Sequence, residues 1–257
     1  MTLVLDRRYN QRDVPTLPPI DEEFILQPAG SGNDYDDMIL AESSLVAYYK
    51  CDEVAGGSIA DTLRLHDGTL SGGYTLGDNG IFGRYPDGKS IRFNGSTGFM
   101  TLANSFDLGT GPWSLEAWIK RYNLAMTADH AIFGATETGP GGFLISAGSI
   151  VPVDRLSAFS SAYAGPYTTA LTDTDFFHHV VVTKWDSTWK IYLDNVEVSG
   201  TNAGETSDAG LRIIGNNPSV GNTFFNGWVS AIAIYKKALS AADVDRHYDA
   251  GYSIPPS

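Results

Sequence analysis

Two carboxylates on alternate residues of one strand can cleave a glycosidic bond, because a period of 2 projects both acids from the same face. The segment WSLEAWIK (Trp113 to Lys120) holds one such residue, Glu116, with Ser114 and Trp118 in the flanking positions on its face. With no second acid in register, Glu116 reads as a solvated strand carboxylate or a partner of Lys120. No catalytic residue is assigned, and the chain is expected not to be an enzyme. His178-His179 is the one histidine pair. Adjacent strand residues point to opposite faces, so an extended pair cannot grip a single metal. His66, His130 and His247 are scattered, there is no G-x-S-x-G elbow, and zinc is not expected. Cys51 is the single cysteine; it lies in an apolar run, reads as a small buried hydrophobe, and leaves no intrachain disulfide.

Oxygen ligands and aromatic rings offer more. Calcium takes several oxygens, commonly from loops, and Asp52, Asp61, Asp67 and Asn94 are the candidate ligands. Asp and Asn also shape turns unaided, so the expectation is no cofactor, with calcium as the alternative. Sugars need aromatic faces beside planar polar side chains. Trp113, Tyr163, Tyr167, Asn217, Asn222, Phe224 and Trp228 lie in or beside loops that mix such residues with Gly and Pro, notably AYAGPYTT and GNNPSVGNTFFNG. The same surface would serve for protein contact.

Composition narrows the partners. The 257 residues carry 17 basic and 30 acidic side chains, a net charge of −13, and no basic stripe that could neutralise phosphates. Nucleic acid and anionic membranes are therefore excluded as expected partners. No run approaches the roughly 18 apolar residues of a membrane span. The start, MTLVLDRRYNQRD, lacks the pattern of a secretory signal, so the chain is expected to remain where it is made or to leave by lysis or a signal-independent route.

Two regions are expected. Residues 1–32 contain Pro15, Pro18, Pro19 and Pro28 and no sustained period, which suits an extended arm rather than a helix or central strand. Leu3, Val4, Leu5, Ile20, Phe24, Ile25 and Leu26 punctuate it and need an apolar surface, either on the parent domain or in an assembly. Residues 33–257 are nearly all β. A short helix from Asn33, with Tyr35, Met38 and Ile39 on its apolar face, precedes the strand SSLVAYYKCDE. SIRFNGSTGFMTL reads as two strands around a Gly-rich turn. In WSLEAWIK, Leu115, Ala117 and Ile119 share one face. HHVVVTKW and WKIYLDNVEV form hairpins at Asp186-Ser187-Thr188 and Asp194-Asn195, and LRIIGNN adds a strand. The last strand runs into a helix with Ser240 as N-cap, Asp243 three residues on, Leu239 and Val244 as a staple, and Gly251 as a left-handed stop.

This ending, FNGWVSAIAIYKKALSAADVDRHYDAG, resembles the close of laminin-G-like domains of the concanavalin A-like lectin/glucanase superfamily. The opening helix and strand, with Asp52 and Glu53 as its acidic pair, resemble the start of such domains in phage structural proteins and some bacterial surface proteins. The resemblance implies an all-β, concanavalin A-like sandwich (jelly roll) of two antiparallel sheets, with short opening and closing helices and an N-terminal arm. Where many relatives place a calcium-binding aspartate, in a G-x-I-D pattern, this chain has Ser230; Ser96 and Thr97 stand where another acid is often found. The expected function is therefore a non-enzymatic structural or adhesion protein on a phage virion surface, on capsid or tail. Its arm would contact other virion proteins or further copies of itself. A free carbohydrate-binding lectin and a glycan-cleaving enzyme are the alternatives.

Overall fold

Strict alternation along short strands dictates the architecture. In a computed structural model, residues 34–81, 84, 87–106, 111–135, 142–146, 148, 151–159, 166–201, 210–218, 221 and 223–252 are described. Among them the chain runs α1 (Asp34–Ala41), β1 (Leu45–Tyr49), β2 (Ser58–Ile59), β3 (Gly68–Ser71), β4 (Tyr74–Asn79), β5 (Lys89–Asn94), β6 (Phe99–Phe106) and β7 (Trp113–Arg121). It continues through β8 (His130–Ala135), β9 (Gly142–Ile145), β10 (Arg155–Phe159), β11 (Tyr167–Ala170), β12 (His178–Trp185), β13 (Thr188–Leu193), β14 (Val196–Thr201), β15 (Leu211–Ile214), β16 (Asn226–Tyr235) and α2 (Ala241–Tyr252). The expected arm of residues 1–32 lies outside the described residues.

The first sheet has the order β14-β13-β12-β7-β16-β5-β4, with β1 also paired to β16; the second has the order β11-β10-β9-β8-β15-β6-β3-β2. All pairings are antiparallel. Leu115, Ala117, Ile119, Val182, Ile191 and Val229 of the first sheet meet Met100, Leu102, Phe133, Phe143 and Ile214 of the second in one buried core. This is the two-sheet sandwich expected from the sequence. The hairpins form where expected: Asp194 and Asn195 both take positive φ (49° and 63°), as a two-residue type I′ turn requires, and Asp186 takes 55°.

One irregularity shapes the outer face of the first sheet. The first half of β16 (Asn226 to Val229) pairs with β5, and its second half (Ile232 to Tyr235) pairs with β1. Between them the register against β7 slips, and Ala231 sits at φ 49°. A bulge inserts one residue and reverses the parity beyond it. Val229 and Ile232 therefore both face the core, while Trp228 and Tyr235 both face outward. Without the bulge, Tyr235 would point into the sandwich.

α1 and α2 cover the middle of that outer face. Tyr35 and Ile39 of α1 and Val244 of α2, with Leu239, form a second buried cluster with Tyr48, Trp118, Val181, Tyr192 and Tyr235. The α2 cap is reciprocal. The Asp243 amide donates to Ser240 Oγ at 3.1 Å, and the Ser240 amide donates to Asp243 Oδ2 at 3.0 Å. Ser240→Ala is expected to lower unfolding free energy by about 1 kcal/mol in urea titration, and Ser240→Gly by only a few tenths. Equal midpoints for wild type and the alanine variant would show that the cap contributes nothing.

Gly251 departs from expectation. It lies inside the last turn of α2, not beyond it as a left-handed stop. A Cβ there would fall 2.2 Å from Trp118 Cζ2, so glycine is present because the helix end closes directly on the indole.

Candidate functional site

Glu116 is neither solvated nor paired with Lys120, as the strand pattern suggested. It points outward from the centre of β7, where α1 and α2 bury it completely. Four donors saturate it. The Tyr35 hydroxyl and His179 Nε2–H donate to Oε1 at 2.9 and 2.8 Å; the Tyr235 hydroxyl and His247 Nδ1–H donate to Oε2 at 2.8 and 2.9 Å. The Trp118 indole N–H donates in turn to Tyr35 Oη at 3.0 Å. Burial alone would push the Glu116 carboxyl up, but the His247 charge and the bonds from both imidazoles hold it well below the usual carboxylate range. Burial would likewise push His247 down, and the Glu116 carboxylate reverses this and raises it. With all four bonds made and the carboxylate fully buried, this cluster locks two helices to a sheet. The adjacent histidines do part, as alternation required: His178 bonds Asp194 at 2.6 Å, on a different carboxylate.

The calcium candidates are similarly occupied. Asp61 accepts four backbone amides, and Asp67 accepts the amide of Asp61. Asp52 accepts the Lys89 amide and pairs with Arg84. Asn94 Oδ1 accepts from the amides of Ser96, Thr97 and Gly98. Ser230 Oγ, at the position of the relatives' aspartate, donates to the Lys89 carbonyl. Among the described residues no three His, Cys, Asp or Glu side chains converge as a metal site.

The aromatic candidates do not converge. Trp113 is corrected outright. It shares the inward parity of Leu115, is 3% exposed, and meets Trp189 edge-on at 5.1 Å inside the core. Asn217 is also fully buried, with its backbone tied to Thr223. Tyr167 lies on the edge strand β11 under Arg155, and Phe224 packs near Phe99. Tyr163 and Asn222 lie outside the described residues. Trp228 alone stands on the open part of the first sheet's outer face.

There the structure assembles a site that the candidate residues missed. Beside the end of α2 opens a cleft of about 260 Å³. Its aromatic lining is Trp118, Phe176, Phe177 and Tyr252, and its charged and amide lining is Asn79, Lys120 and Asp175. Phe176 and Tyr252 are each 53% exposed. Asp173 positions the first of them: its Oδ1 accepts from the amides of Asp175 and Phe176, a turn that lifts the ring ahead of β12. Tyr248 anchors the second, stacking on Tyr252 at 5.5 Å and on Trp118 at 6.0 Å. Next to the cleft, Lys120 Nζ lies 4.4 Å from the Trp228 ring centre and 5.5 Å from that of Phe177. Arg92 lies 5.2 Å from Trp228 and 4.2 Å from Tyr122. Exposed rings with a few fixed polar groups around a concavity form a ligand-binding composition. The one sequence signal was the unpatterned pair Phe176-Phe177 after an Asp-Thr-Asp turn.

Comparison with known proteins fits this fold. The sequence pattern of a laminin-G family, described as "Concanavalin A-like lectin/glucanases superfamily", matches residues 94–245. No curated protein sequence matches the chain. Among solved structures, Trypanosoma rangeli sialidase superposes with a TM-score of 0.60 at 15% identity, covering 84% of this chain and 36% of the sialidase. This chain thus spans little more than a third of the sialidase's length. Domain 4 of an extracellular arabinanase from Geobacillus stearothermophilus, solved in complex with arabinotriose, gives 0.61 at 18% identity, covering 81% of this chain and 98% of that domain. The binding domain of Paraclostridial Mosquitocidal Protein 1 gives 0.59 at 14% identity, covering 80% and 52%. These identities show a shared fold. The expectation of a phage virion surface protein is overturned here: the proteins named above that share the fold are a sialidase, an arabinanase domain solved with arabinotriose and the binding domain of a mosquitocidal protein.

Proposed function

We propose a glycan-binding role for this chain, which belongs to the concanavalin A-like lectin/glucanase superfamily. The observation that carries the proposal is the open cleft at the end of α2, where the half-exposed rings of Phe176 and Tyr252 stand beside Asn79, Lys120 and Asp175. Aromatic faces stack on the apolar C–H faces of a pyranose or furanose, while amide, carboxylate and ammonium groups bond its hydroxyls. The arabinanase domain of similar fold, 98% covered by the superposition, was solved with arabinotriose, which supports a carbohydrate ligand. Binding without cleavage suits the site. Hydrolysis by paired acids needs two facing carboxyls, and the described lining of the cleft contributes one, Asp175.

The test is a glycan microarray probed with the full chain, followed by calorimetry on the best ligand, with arabinotriose included. Phe176→Ala and Tyr252→Ala are each expected to weaken binding about tenfold, because a stacked aromatic contributes on the order of 1 kcal/mol or more. Both side chains are half exposed, so thermal unfolding should barely change. An array without signal, or undiminished binding by the double variant, would sink the proposal.

A further inference from the structure

The outer face beside the cleft carries a row of three side chains, one of which, Lys120, also lines the cleft. Trp228 on β16 pairs in register with Lys120 on β7 and with Arg92 on β5. Directly opposed residues on adjacent strands project from the same face, so the two cations stand on either side of one indole. The ring is itself pinned, its N–H donating to Asp78 Oδ2 at 2.6 Å. Arg92 is further held over Tyr122, and Lys120 over Phe177.

These contacts fix the cations without satisfying them. A cation–π contact uses the charge and leaves the N–H donors free: five on a guanidinium and three on an ammonium. Carboxylates outnumber cations 30 to 17 in this chain. Yet among the described residues neither Arg92 nor Lys120 has a carboxylate in ion-pair reach, whereas Lys50, Arg84, Arg121, Lys190, Lys237 and Arg246 all do. Two positioned, unpaired cations at the edge of a concave site present fixed donors to an incoming anion at little cost in side-chain ordering.

We infer that the glycan taken by this face is anionic, with a carboxylate or sulfate group held by Lys120 and Arg92 beside Trp228. The inference rests on the glycan-binding reading of the cleft and adds the class of ligand. Lys120 belongs to both, lining the cleft and flanking the indole. A sugar ring in the cleft would thus direct its acidic substituent toward β16 and β5. Arg92 supplies the planar fork that matches a carboxylate or sulfate, and Lys120 the point charge. Asp175, at the aromatic side of the cleft, is left to accept from hydroxyls.

Matched pairs test this by calorimetry on the full chain. Trigalacturonate is compared with its methyl ester, and 3′-sulfolactose with lactose, so that each pair differs only in the anionic group. At least one charged member is expected to bind about tenfold more tightly than its neutral partner, and the pair that does so identifies carboxylate or sulfate as the group read. Lys120→Gln and Arg92→Gln should each bring that ratio to within about threefold. Lys190→Gln removes the same charge from a pair with Glu197 elsewhere on the sheet and should leave the ratio unchanged. Equal affinity within both pairs would overturn the inference, as would a preference that survives the Lys120→Gln/Arg92→Gln double variant. Binding of neutral glycans alone would leave the cleft reading standing, whereas an array blank for all glycans would remove both.

Discussion

Glu116→Ala is expected to cost about 4 kcal/mol of unfolding free energy, the loss typical of removing one member of a buried ion pair. Two tyrosine hydroxyls and two imidazoles would lose their shared acceptor at once, and none of the four is near solvent. Glu116→Gln preserves the shape and isolates the charge. In the wild type the folded pKa of Glu116 is depressed, so its contribution is present above the unfolded carboxylate value and fades as pH falls through the folded one. The folded pKa of His247 is raised, so its contribution is full below about 6.5 and is lost as pH climbs through the folded value. The pair therefore stabilises most in mildly acidic solution and less at pH 8. In Glu116→Gln the buried imidazolium loses its hydrogen-bonded counter-charge and keeps only Glu42, 3.7 Å from Nε2, and the more distant Asp243, so its pKa falls and the stabilisation it gives in mildly acidic solution shrinks. His178, raised beside Asp194, and His130, lowered to about 4 chiefly by burial, titrate in both proteins and cancel in the difference. Urea titrations of the two proteins from pH 5 to 8.5 should show the wild-type advantage largest near pH 5 to 6 and narrowing toward pH 8.5. Parallel profiles, or an alanine variant within about 1 kcal/mol of wild type, would show that the cluster is not what holds α1 and α2 to the sheet.

The contrast between Glu116 and its own strand shows what the sequence made legible. Alternation along WSLEAWIK placed Leu115, Ala117 and Ile119 on one face and Glu116 and Trp118 on the other, and in the structure the first set faces the core and the second faces outward. The same parity puts Trp113 inward with Leu115, so its burial was readable from the pattern that was used. The Asp194-Asn195 turn and the Ser240–Asp243 cap are local chemistry and were legible for that reason. Outward, however, did not mean exposed. Glu116 is buried by Tyr35, 81 residues before it, and by His247, 131 residues after it, and no period or propensity reports a contact of that range. The cleft is lost to sequence in the same way, since Asn79, Phe176 and Tyr252 meet only after the sheet and α2 have assembled. The bulge at Ala231 is a further hidden step: IAIY reads as plain alternation, and the one-residue slip that sends Tyr235 to Glu116 leaves no mark in residue type.

Asp61→Ala is the second substitution expected to do severe damage, at about 3 kcal/mol, and the reason is backbone rather than ion pairing. Asp61 is fully buried just after β2, in the loop that leads to β3, and bridges Tyr49 at the end of β1. Its Oδ1 accepts from the amides of Tyr48 and Leu63 at 3.0 and 3.1 Å, and its Oδ2 from those of Leu65 and His66 at 3.1 and 3.2 Å. One carboxylate thus replaces the ladder partners that a loop lacks, and each amide left without an acceptor carries its desolvation cost. Asp61→Asn should be intermediate, at about 2 kcal/mol, because the amide keeps one oxygen and turns an NH2 group toward two N–H donors. The anchored loop also holds the His66 carbonyl against the Tyr49 hydroxyl at 2.6 Å, so amide exchange at Leu65 and His66 should rise in both variants more than exchange in β7. The same geometry predicts the response to metal. A calcium ion would have to displace amide donors from Asp61, so millimolar calcium is expected to leave the wild-type unfolding midpoint unchanged. A calcium-dependent rise that Asp61→Asn abolishes would instead make this loop a metal site, and an alanine variant as stable as wild type would show that the four amides find other partners.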